Sequence, residues 1–141
     1  MADCVFCKII DGTFENSNIY EDDSLIAFMD IQPVNKGHIL IVPKKHSELI
    51  TDIDDETSAK MFTLAKKINI ALRKSDIKLE GVNYFLADGE AAGQEVPHAH
   101  LHIFPRFKGD GFGLTFSEDY RKVLPKRAEL DTIAEKIKQL L

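Results

Sequence analysis

The stretch at residues 97–105 reads PHAHLHIFP and contains His98, His100 and His102, three of the five histidines in the chain. Because alternate residues of a β-strand share a face, it predicts a strand with the histidines on one side and the intervening apolar residues in a core. Neighbouring imidazoles would be ~6.6 Å apart and the outer two ~13 Å apart, whereas zinc–nitrogen bonds are ~2.0–2.1 Å. We therefore expect the three histidines to have different tasks rather than to bind one metal ion together.

The elements predicted around this strand indicate an α+β fold with a mostly antiparallel sheet, one long central helix and a C-terminal helix. Short links between the predicted strands favour antiparallel pairing. The long helix has an N-cap at Asp54 and an apolar stripe made of Met61, Leu64, Ala65, Ile68, Ala71 and Leu72. The other predicted helices cover residues 3–11 and a segment from about Lys126, and the predicted strands cover residues 18–21, 25–29, 38–42, 81–87 and 98–105.

Size and composition limit the classes of protein to which the chain can belong. It has 141 residues and shows no internal repeat or linker, so we expect residues 1–141 to form a single domain. Lys and Arg number 18 against 23 Asp and Glu, a net charge of −5, which disfavours nucleic acid as a partner. The longest apolar runs, Leu25–Met29 and Ile39–Val42, are far shorter than the ~20 residues of a membrane span. No signal-peptide pattern opens the sequence, so we expect a cytoplasmic protein with no membrane partner and with reduced thiols.

The only cysteines, Cys4 and Cys7, have the two-residue gap of half a zinc site. His46 and His98 are the candidates for the other two ligands. Two thiolates and two imidazoles would give closed tetrahedral coordination, and such a Zn²⁺ site is structural because no coordination position stays open for water. The alternatives are a CxxC without function and a redox pair, although the βαβ pattern of thioredoxin-like proteins is missing.

Histidine suits chemistry at phosphorus. Its neutral ring nitrogen is a good nucleophile, and a hydrogen bond at the other nitrogen fixes the tautomer. A neighbouring imidazole can stabilise the transferred group or protonate the leaving group. The alternative is a surface rich in histidine, or an incidental metal trap. We interpret His38, which opens a predicted strand, as a structural or supporting histidine.

The motif HAHLHIF at residues 98–104 resembles the signature of the histidine-triad (HIT) nucleotide hydrolases and transferases. The resemblance covers nearly the whole chain. The further matching segments, in the order of the family, are KIIDG at 8–12, YED at 20–22, AFMDI at 27–31, KGHILIVPKKH at 36–46, DG at 88–89, AGQ at 92–94 and PR at 105–106.

The resemblance implies roles for individual residues. His100 corresponds to the nucleophile that takes the nucleotidyl group, His102 to the histidine that hydrogen-bonds the phosphate, and Asp30 to an acid that accepts the ribose hydroxyls. The loop with Gln94 and Glu95 faces the phosphates. The residues corresponding to the apolar walls around the base are Phe6, Ile9, Phe14, Phe28 and Ile31. From the residues alone, these five are equally consistent with ordinary core, and Asp30 with a turn cap.

Two departures from the family pattern leave the substrate class open. Ala87 stands where the phosphoramidate-cleaving branch carries Asn, and Glu95 stands where many members carry a hydroxyl residue. An ionised carboxylate at residue 95 would repel phosphate unless it were protonated, turned away or paired with a cation. Local positive charge is available from Arg106, Lys44, Lys45 and Lys108, and the three lysines are equally consistent with a solvated surface.

The resemblance implies a nucleotide hydrolase or nucleotidyl transferase that acts at the α-phosphorus of a purine nucleoside phosphate derivative. The substrate would be a phosphoramidate or a dinucleoside polyphosphate, and the intermediate a covalent nucleotidyl-histidine on His100. It also implies a homodimer, and a structural Zn²⁺ held by Cys4, Cys7, His46 and His98. One alternative is a zinc-stabilised nucleotide-binding regulator without significant turnover. Another is a zinc hydrolase that uses metal-bound water.

Overall fold

The computed structural model describes residues 3–141, which fall into two compact units, one ending at Gly111 and one covering Phe112–Leu141. We describe each unit by itself, and the interpretation of residues 1–141 as one domain stays a prediction. The helices are α1 (Val5–Ile10), α2 (Asp55–Lys74) and α3 (Arg127–Lys138), with single 3₁₀ turns at Ile50–Asp52 and Glu90–Ala92; the strands are β1 (Asn18–Glu21), β2 (Leu25–Met29), β3 (Ile39–Pro43), β4 (Gly81–Phe85) and β5 (Leu101–Arg106).

The first unit is built on a five-stranded sheet of order β1-β2-β3-β5-β4. Every neighbouring pair of strands is antiparallel, which confirms the predicted α+β class. In this register Leu40 of β3 and Phe85 of β4 lie opposite His102 of β5. The central strands therefore carry the histidine segment, and β1 and β4 form the two edges.

The alternation of side chains along the central strands divides the first unit into two layers. Leu101 and Ile103 pack with the apolar stripe of α2 in one buried cluster, as the histidine stretch predicted. Phe28 and Leu40 belong to a second cluster on the opposite face, together with Phe6 of α1. His102 alternates with Leu101 and Ile103, so it shares this second face.

Helix α2 forms where its capping signals predicted. The Asp54 carboxylate accepts a hydrogen bond of 2.8 Å from the Thr57 backbone N–H, which satisfies a free donor of the first turn. The predicted stripe residues are buried apart from Ala71. Successive residues of a helix are rotated by about 100° around its axis. This rotation places Ala71 just beyond the edge of the buried stripe, where it is exposed.

Several predicted boundaries are corrected by the structure. Strand β3 covers Ile39–Pro43 rather than residues 38–42, and β5 ends at Arg106 rather than residue 105. Strand β5 begins at Leu101 rather than His98, because Ile41–Leu101 is the last pair that β5 forms with β3. Strand β4 ends at Phe85 rather than residue 87, and α1 covers six residues rather than 3–11. His98 and His100 therefore lie in the connection that leads into β5.

The second unit contains α3, whose start lies one residue after the predicted Lys126. The Lys126 backbone N–H donates to the Glu129 carboxylate at 2.9 Å, which caps the first turn. The apolar side chains Leu130, Ile133 and Ile137 of this helix are exposed. Within residues 3–141, we find no helix with the length and apolar character required to cross a membrane.

A close packing point lies directly before His38. Gly37 has φ of +95°, and a Cβ built there would lie 3.1 Å from the Ile77 side chain and 3.2 Å from the Pro105 side chain. Gly12 has a similar φ of +82° with no atom within 4 Å of such a Cβ. A side chain at Gly12 would therefore cause backbone strain alone, whereas a side chain at Gly37 would cause both backbone strain and steric contact.

We expect Gly37→Ala to lower the free energy of unfolding by about 2–4 kcal/mol, since strain and overpacking add. Gly12→Ala, the control, should lower it by about 1–2 kcal/mol from strain alone. Urea unfolding measures both, and equal losses would contradict the close packing at Gly37.

Candidate functional site

Four side chains from three parts of the first unit converge on one point. Cys4 Sγ lies 3.4 Å from His98 Nδ1, and Cys7 Sγ lies 3.3 Å from His46 Nδ1 and 3.8 Å from His98 Nδ1. All four donor atoms lie within 4.8 Å of one another. The structure thus brings together the four residues that the sequence predicted as metal ligands.

The donor geometry fits a tetrahedral metal ion. Bonds of ~2.3 Å to sulfur and ~2.0–2.1 Å to nitrogen place a sulfur and a nitrogen ligand about 3.6 Å apart in a tetrahedral site. His98 Nε2–H donates to the Pro43 carbonyl at 2.8 Å, so the Nδ1 lone pair faces the two thiols. Burial and the neighbouring Cys4 raise the pKa of the Cys7 thiol, and a bound cation is the partner that favours thiolates here.

The backbone fixes the two histidines of this cluster relative to each other. The Ala99 N–H donates to the Ser47 carbonyl at 2.7 Å, which ties the residue after His98 to the residue after His46. Cys4 is the N-cap residue of α1, and Cys7 lies within that helix. The cluster therefore attaches the N-terminal helix to the segment that leads into β5.

His100 is held as a neutral imidazole with a free Nε2. Its Nδ1–H donates to the His98 carbonyl at 2.7 Å, and a carbonyl only accepts, so the ring proton is on Nδ1. Burial lowers the pKa of His100, and the Phe6 ring packs edge-on with centroids 4.9 Å apart. The Nε2 lone pair is therefore available at neutral pH.

His38 and His102 form a hydrogen-bonded pair whose tautomers follow from one backbone donor. The Val34 N–H donates to His38 Nδ1 at 3.0 Å, so the proton of neutral His38 is on Nε2. That Nε2–H donates to His102 Nδ1 at 2.9 Å, which leaves the proton of His102 on its own Nε2. His102 thus presents a donor, whereas His100 presents a lone pair.

The pKa values of this pair keep both rings neutral. Burial lowers the pKa of His38. Burial, together with the neighbouring His100 and His38, lowers the pKa of His102 to about 4. Ring centroids of His100 and His102 lie 4.7 Å apart, so the lone pair and the donor belong to one site.

Asp30 lies beside the His38–His102 pair. Its Oδ2 is 3.5 Å from His38 Nε2 and 4.0 Å from His102 Nδ1. Its Oδ1 accepts from the Gln32 N–H at 2.8 Å, so the turn-cap interpretation also holds. Asp30, His38 and His102 have donor atoms close enough to hold a metal ion, but the hydrogen bond between the two histidines already occupies the nitrogens that such an ion would need.

The five predicted wall residues do not share one environment. Phe6 and Phe28 are buried and pack edge-to-face with ring centroids 5.8 Å apart. Ile9 packs against the same cluster. Phe14 and Ile31 are exposed, Ile31 to 94 %. The interpretation as ordinary core residues therefore fits Phe6 and Phe28 best. The base-binding role of all five residues stays a prediction.

The loop before the histidines is fixed by Gln94. Its side-chain oxygen accepts from the Gly89 N–H at 2.7 Å, and its Nε2 donates to the Glu48 carbonyl at 2.8 Å. Both ends of the amide are thus occupied by backbone groups, and the predicted contact of Gln94 with a nucleotide stays a prediction. Glu95 follows directly and is exposed.

Two of the cations that we considered as phosphate ligands are engaged elsewhere. Arg106 donates to the Asp110 carboxylate at 2.6 Å and to Asn83 at 2.6 Å. Lys44 forms an ion pair with Glu21 at 2.6 Å. The side chains of Arg106 and Lys44 therefore already have partners within the protein.

Sequence comparison identifies the family. The HIT domain family model matches residues 12–109. The chain belongs to the HIT family. A HIT-like protein of Borreliella burgdorferi is 46% identical over 114 residues, which cover 80% of this chain and 82% of that protein.

Solved structures agree with this family. A Zn-bound histidine triad family protein from Mycobacterium smegmatis is 39% identical (TM-score 0.75; 84% of this chain, 85% of that one). A histidine triad nucleotide-binding protein from Candida albicans is 29% identical (TM-score 0.83; 97% and 96%). A HIT family hydrolase from Legionella pneumophila is 35% identical (TM-score 0.66; 81% and 97%). The predicted HIT-like fold is confirmed by these structures.

Sequence reasoning missed the backbone groups that orient the histidines of this HIT protein. They are the carbonyls of Pro43 and His98 and the N–H of Val34. Every residue type supplies such groups, so no signal in the sequence distinguishes them. The part of the sequence that came nearest to indicating these backbone groups was the segment KGHILIVP, which contains His38 and Pro43.

The lowered pKa of His102 makes the stability of the protein depend on pH. An unfolded histidine has a pKa of ~6.5, so below that pH the unfolded state binds a proton that folded His102, with a pKa of about 4, does not. We expect wild type to lose about 1–2 kcal/mol more stability than His102→Gln between pH 7 and pH 5. Chemical denaturation at both pH values measures this difference, and identical losses would contradict a partly buried His102 that is neutral in the folded state.

Proposed function

We propose that this HIT protein is a hydrolase that cleaves purine nucleoside phosphate derivatives at the α-phosphorus through a nucleotidyl-histidine on His100. The observation that carries the proposal is the pair of opposite tautomers, with a lone pair on His100 and a donor on His102. A nucleophile beside a hydrogen-bond donor is what in-line attack on a phosphoryl centre requires. The named nucleotide-binding and hydrolase structures of the same family support this reading.

In the first step, His100 Nε2 attacks phosphorus. A nitrogen–phosphorus bond forms, the bond to the leaving group breaks, and its electron pair departs with that group. The Nε2–H of His102 hydrogen-bonds a phosphoryl oxygen, where negative charge increases in the transition state. The carbonyl of His98 stabilises the cationic ring of the intermediate through the Nδ1–H bond of 2.7 Å.

In the second step, water attacks the phosphorus of the intermediate. An oxygen–phosphorus bond forms, the bond to Nε2 breaks with its electron pair returning to Nε2, and the water gives up a proton to solvent. A nucleoside monophosphate is released with His100 neutral again. The Asp30 carboxylate holds the ribose hydroxyls through both steps, and its Oδ2 keeps the His38–His102 pair oriented. Phe6 and Phe28 exclude water from the nucleophile side of the pocket.

We further propose that Cys4, Cys7, His46 and His98 hold a structural Zn²⁺. The sulfur–nitrogen distances of 3.3–3.8 Å and the Nδ1 lone pair of His98 support this proposal. When bound, the ion would supply four bonds that cross-link α1 to the histidine segment. It would leave no coordination position for water, which separates this site from that of a zinc hydrolase.

A second candidate function is a zinc-stabilised nucleotide-binding regulator without significant turnover. Glu95 favours it, because the family resemblance places this exposed carboxylate on the loop that faces the phosphates, which an ionised carboxylate would repel. Binding of adenosine monophosphate without hydrolysis of any adenylated substrate would decide for this alternative.

We expect His100→Gly to reduce hydrolysis of adenosine phosphoramidates and diadenosine polyphosphates by about 10³-fold or more, because the nucleophile is lost. Rapid quench in denaturant at alkaline pH, which preserves the phosphorus–nitrogen bond, followed by mass spectrometry should detect adenylated wild type and no adenylated variant. The control is His100→Gly with added imidazole, which should restore part of the turnover. Unchanged hydrolysis by the variant would sink the proposed mechanism.

Removal of zinc tests the structural assignment. Elemental analysis should find one zinc per chain in wild type and a strong reduction in Cys7→Ser, with a melting temperature about 5 °C or more lower. A chelator should lower activity and melting temperature of wild type together, and should leave the melting temperature of Cys7→Ser unchanged. Loss of activity without any change in the fold or the melting temperature would indicate a catalytic metal instead.

We also propose that two copies of this chain form a homodimer. Strand β4 is an edge strand, and the exposed rings of Tyr84 and Phe85 lie on it. The exposed Phe62 of α2 borders the same side, since it lines a groove with Leu86, and the neighbouring Asn69 hydrogen-bonds Tyr84 at 2.6 Å. Pairing of two β4 strands would extend the sheet and cover these apolar groups.

Light scattering at micromolar concentration should give twice the chain mass of 15.9 kDa. Phe62→Glu should give the monomer mass, because a carboxylate would be buried at the interface. Ile19→Glu, a matched change at the opposite sheet edge, should remain dimeric. A monomeric wild type would refute the proposed assembly.

A further inference from the structure

A buried ion pair lies at the end of the strand that carries His102. Arg106 donates to Asp110 through two N–H groups, from Nε to Oδ2 at 2.6 Å and from Nη2 to Oδ1 at 3.0 Å. The side chain of Asp110 is only 2 % exposed. The Phe107 backbone N–H donates to the same carboxylate at 3.3 Å, so Asp110 also closes the turn that follows β5. The proposed reaction uses neither member of this ion pair directly.

Asn35 connects this ion pair to a segment that lies far away along the chain. Its side-chain amide donates to Asp110 Oδ2 at 2.8 Å and to the Pro105 carbonyl at 2.9 Å. The amide has two N–H groups, so each acceptor receives one of them. Two hydrogen bonds from one amide fix its orientation as well as its position. The backbone at residue 35 is therefore tied to the end of β5.

Asn35 is also the first residue of the turn that ends at His38. The His38 N–H donates to the Asn35 carbonyl at 3.1 Å. Gly37 occupies the third position of this turn with φ of +95°, as a type II turn requires. The His38 ring reaches back to the residue before the turn, where its Nδ1 accepts from the Val34 N–H at 3.0 Å. The tie at residue 35 therefore lies directly beside the donor that fixes the tautomer of His38.

Hydrogen bonds rather than burial hold this donor in place. Residues 31–33 and residue 36 are exposed, so packing contributes little to the position of the backbone around Val34. The side-chain bonds of Asn35 supply the missing restraint, because they connect this exposed segment to the buried Asp110 carboxylate. Loss of those bonds would leave the Val34 N–H free to move away from His38.

The proton on His102 depends on this restraint. With the Val34 N–H in place, His38 carries its proton on Nε2 and donates it to His102 Nδ1 at 2.9 Å. Without it, His38 can carry the proton on Nδ1, and His102 must then donate from Nδ1 and lose the proton of its own Nε2. Asp30 Oδ2 lies 3.5 Å from His38 Nε2 and favours the first arrangement. Loss of the restraint would therefore weaken the preference without reversing it.

We infer that Asn35, held by Asp110, is a positioning residue that keeps a hydrogen-bond donor on His102 Nε2. The inference rests on the proposed function, in which that donor bonds a phosphoryl oxygen. Asn35 acts through the Val34 N–H and His38, and Asp110 acts through Asn35. The ion pair at the end of β5 thus sets a proton position at the other end of a chain of hydrogen bonds.

The test compares three variants with wild type. Asn35→Ala removes both side-chain bonds of the turn. Asp110→Asn keeps the size of the side chain but leaves one acceptor oxygen, for which Asn35 and Arg106 compete; it carries the test if Asn35→Ala does not fold. Asn83→Ala is the matched control, because Asn83 is an exposed amide that accepts from Arg106 at 2.6 Å and lies outside the turn.

Long-range ¹H–¹⁵N NMR at pH 7 reads the tautomers of His38 and His102 in all four proteins. In Asn35→Ala the fraction of the minor tautomer should rise about fivefold, the factor that one ordinary hydrogen bond supplies. The Nδ1 and Nε2 shifts of each ring should therefore move towards one another. Asp110→Asn should show a smaller change in the same direction, and Asn83→Ala should match wild type.

Kinetics with adenosine 5′-phosphoramidate give a second readout. Asn35→Ala should lower kcat about fivefold and change KM less than twofold, because the bond from His102 to the phosphoryl oxygen strengthens in the transition state. Asn83→Ala should leave both constants unchanged. A lower melting temperature with unchanged ¹⁵N shifts in folded Asn35→Ala or Asp110→Asn would show a purely structural role and overturn the inference. Equal shifts in Asn83→Ala would overturn it as well.

The NMR readout separates this inference from the proposed function, because it needs no turnover. Altered tautomers in Asn35→Ala, together with a wild type that does not hydrolyse the phosphoramidate, would support the positioning role and refute the hydrolase. Hydrolysis by wild type, with both the tautomers and kcat of Asn35→Ala unchanged, would refute the positioning role alone.

Discussion

The hydrogen bond from His100 Nδ1–H to the carbonyl of His98 connects the two halves of the site. The ring of His98 belongs to the Cys/His cluster, while its backbone carbonyl fixes the tautomer of the neighbouring candidate nucleophile. A single residue thus transmits the rigidity of the cluster to the atom that would attack phosphorus. At 2.7 Å in a buried environment, this bond is also one that neither water nor rotation of the ring easily replaces.

The sheet provides the second constraint. Leu101 and Ile103 anchor β5 against α2, so the side chain between them must point to the opposite face. There it meets His38, the residue directly before β3, which in turn is oriented by the Val34 N–H. Burial makes charged imidazoles unfavourable, and the two histidine environments therefore hold neutral rings with opposite proton positions.

Local patterns determined how much of this was predictable. Strands β1 and β2 follow from the polar turn residues 21–24 between them, and the cap of α2 follows from Asp54; both signals act over a few residues. The convergence of Cys4, Cys7, His46 and His98 was predictable because the residue types and the number of ligands that suit a metal ion are chemically restricted. The start of β5, the His38–His102 bond and the engagement of Gln94 were not, because each depends on a partner group that is distant in the chain. The family was predicted from the sequence resemblance, whereas the proton positions could be assigned only from the hydrogen bonds in the structure.

The proton positions are the central claim, and long-range ¹H–¹⁵N NMR of histidine side chains measures them directly in the folded protein. At pH 7 the account predicts a protonated Nδ1 and a bare Nε2 for His100, and protonated Nε2 atoms with bare Nδ1 atoms for His38 and His102. A His100 ring protonated at Nε2, or at both nitrogens, would contradict it, because the lone pair that attacks phosphorus would then be absent.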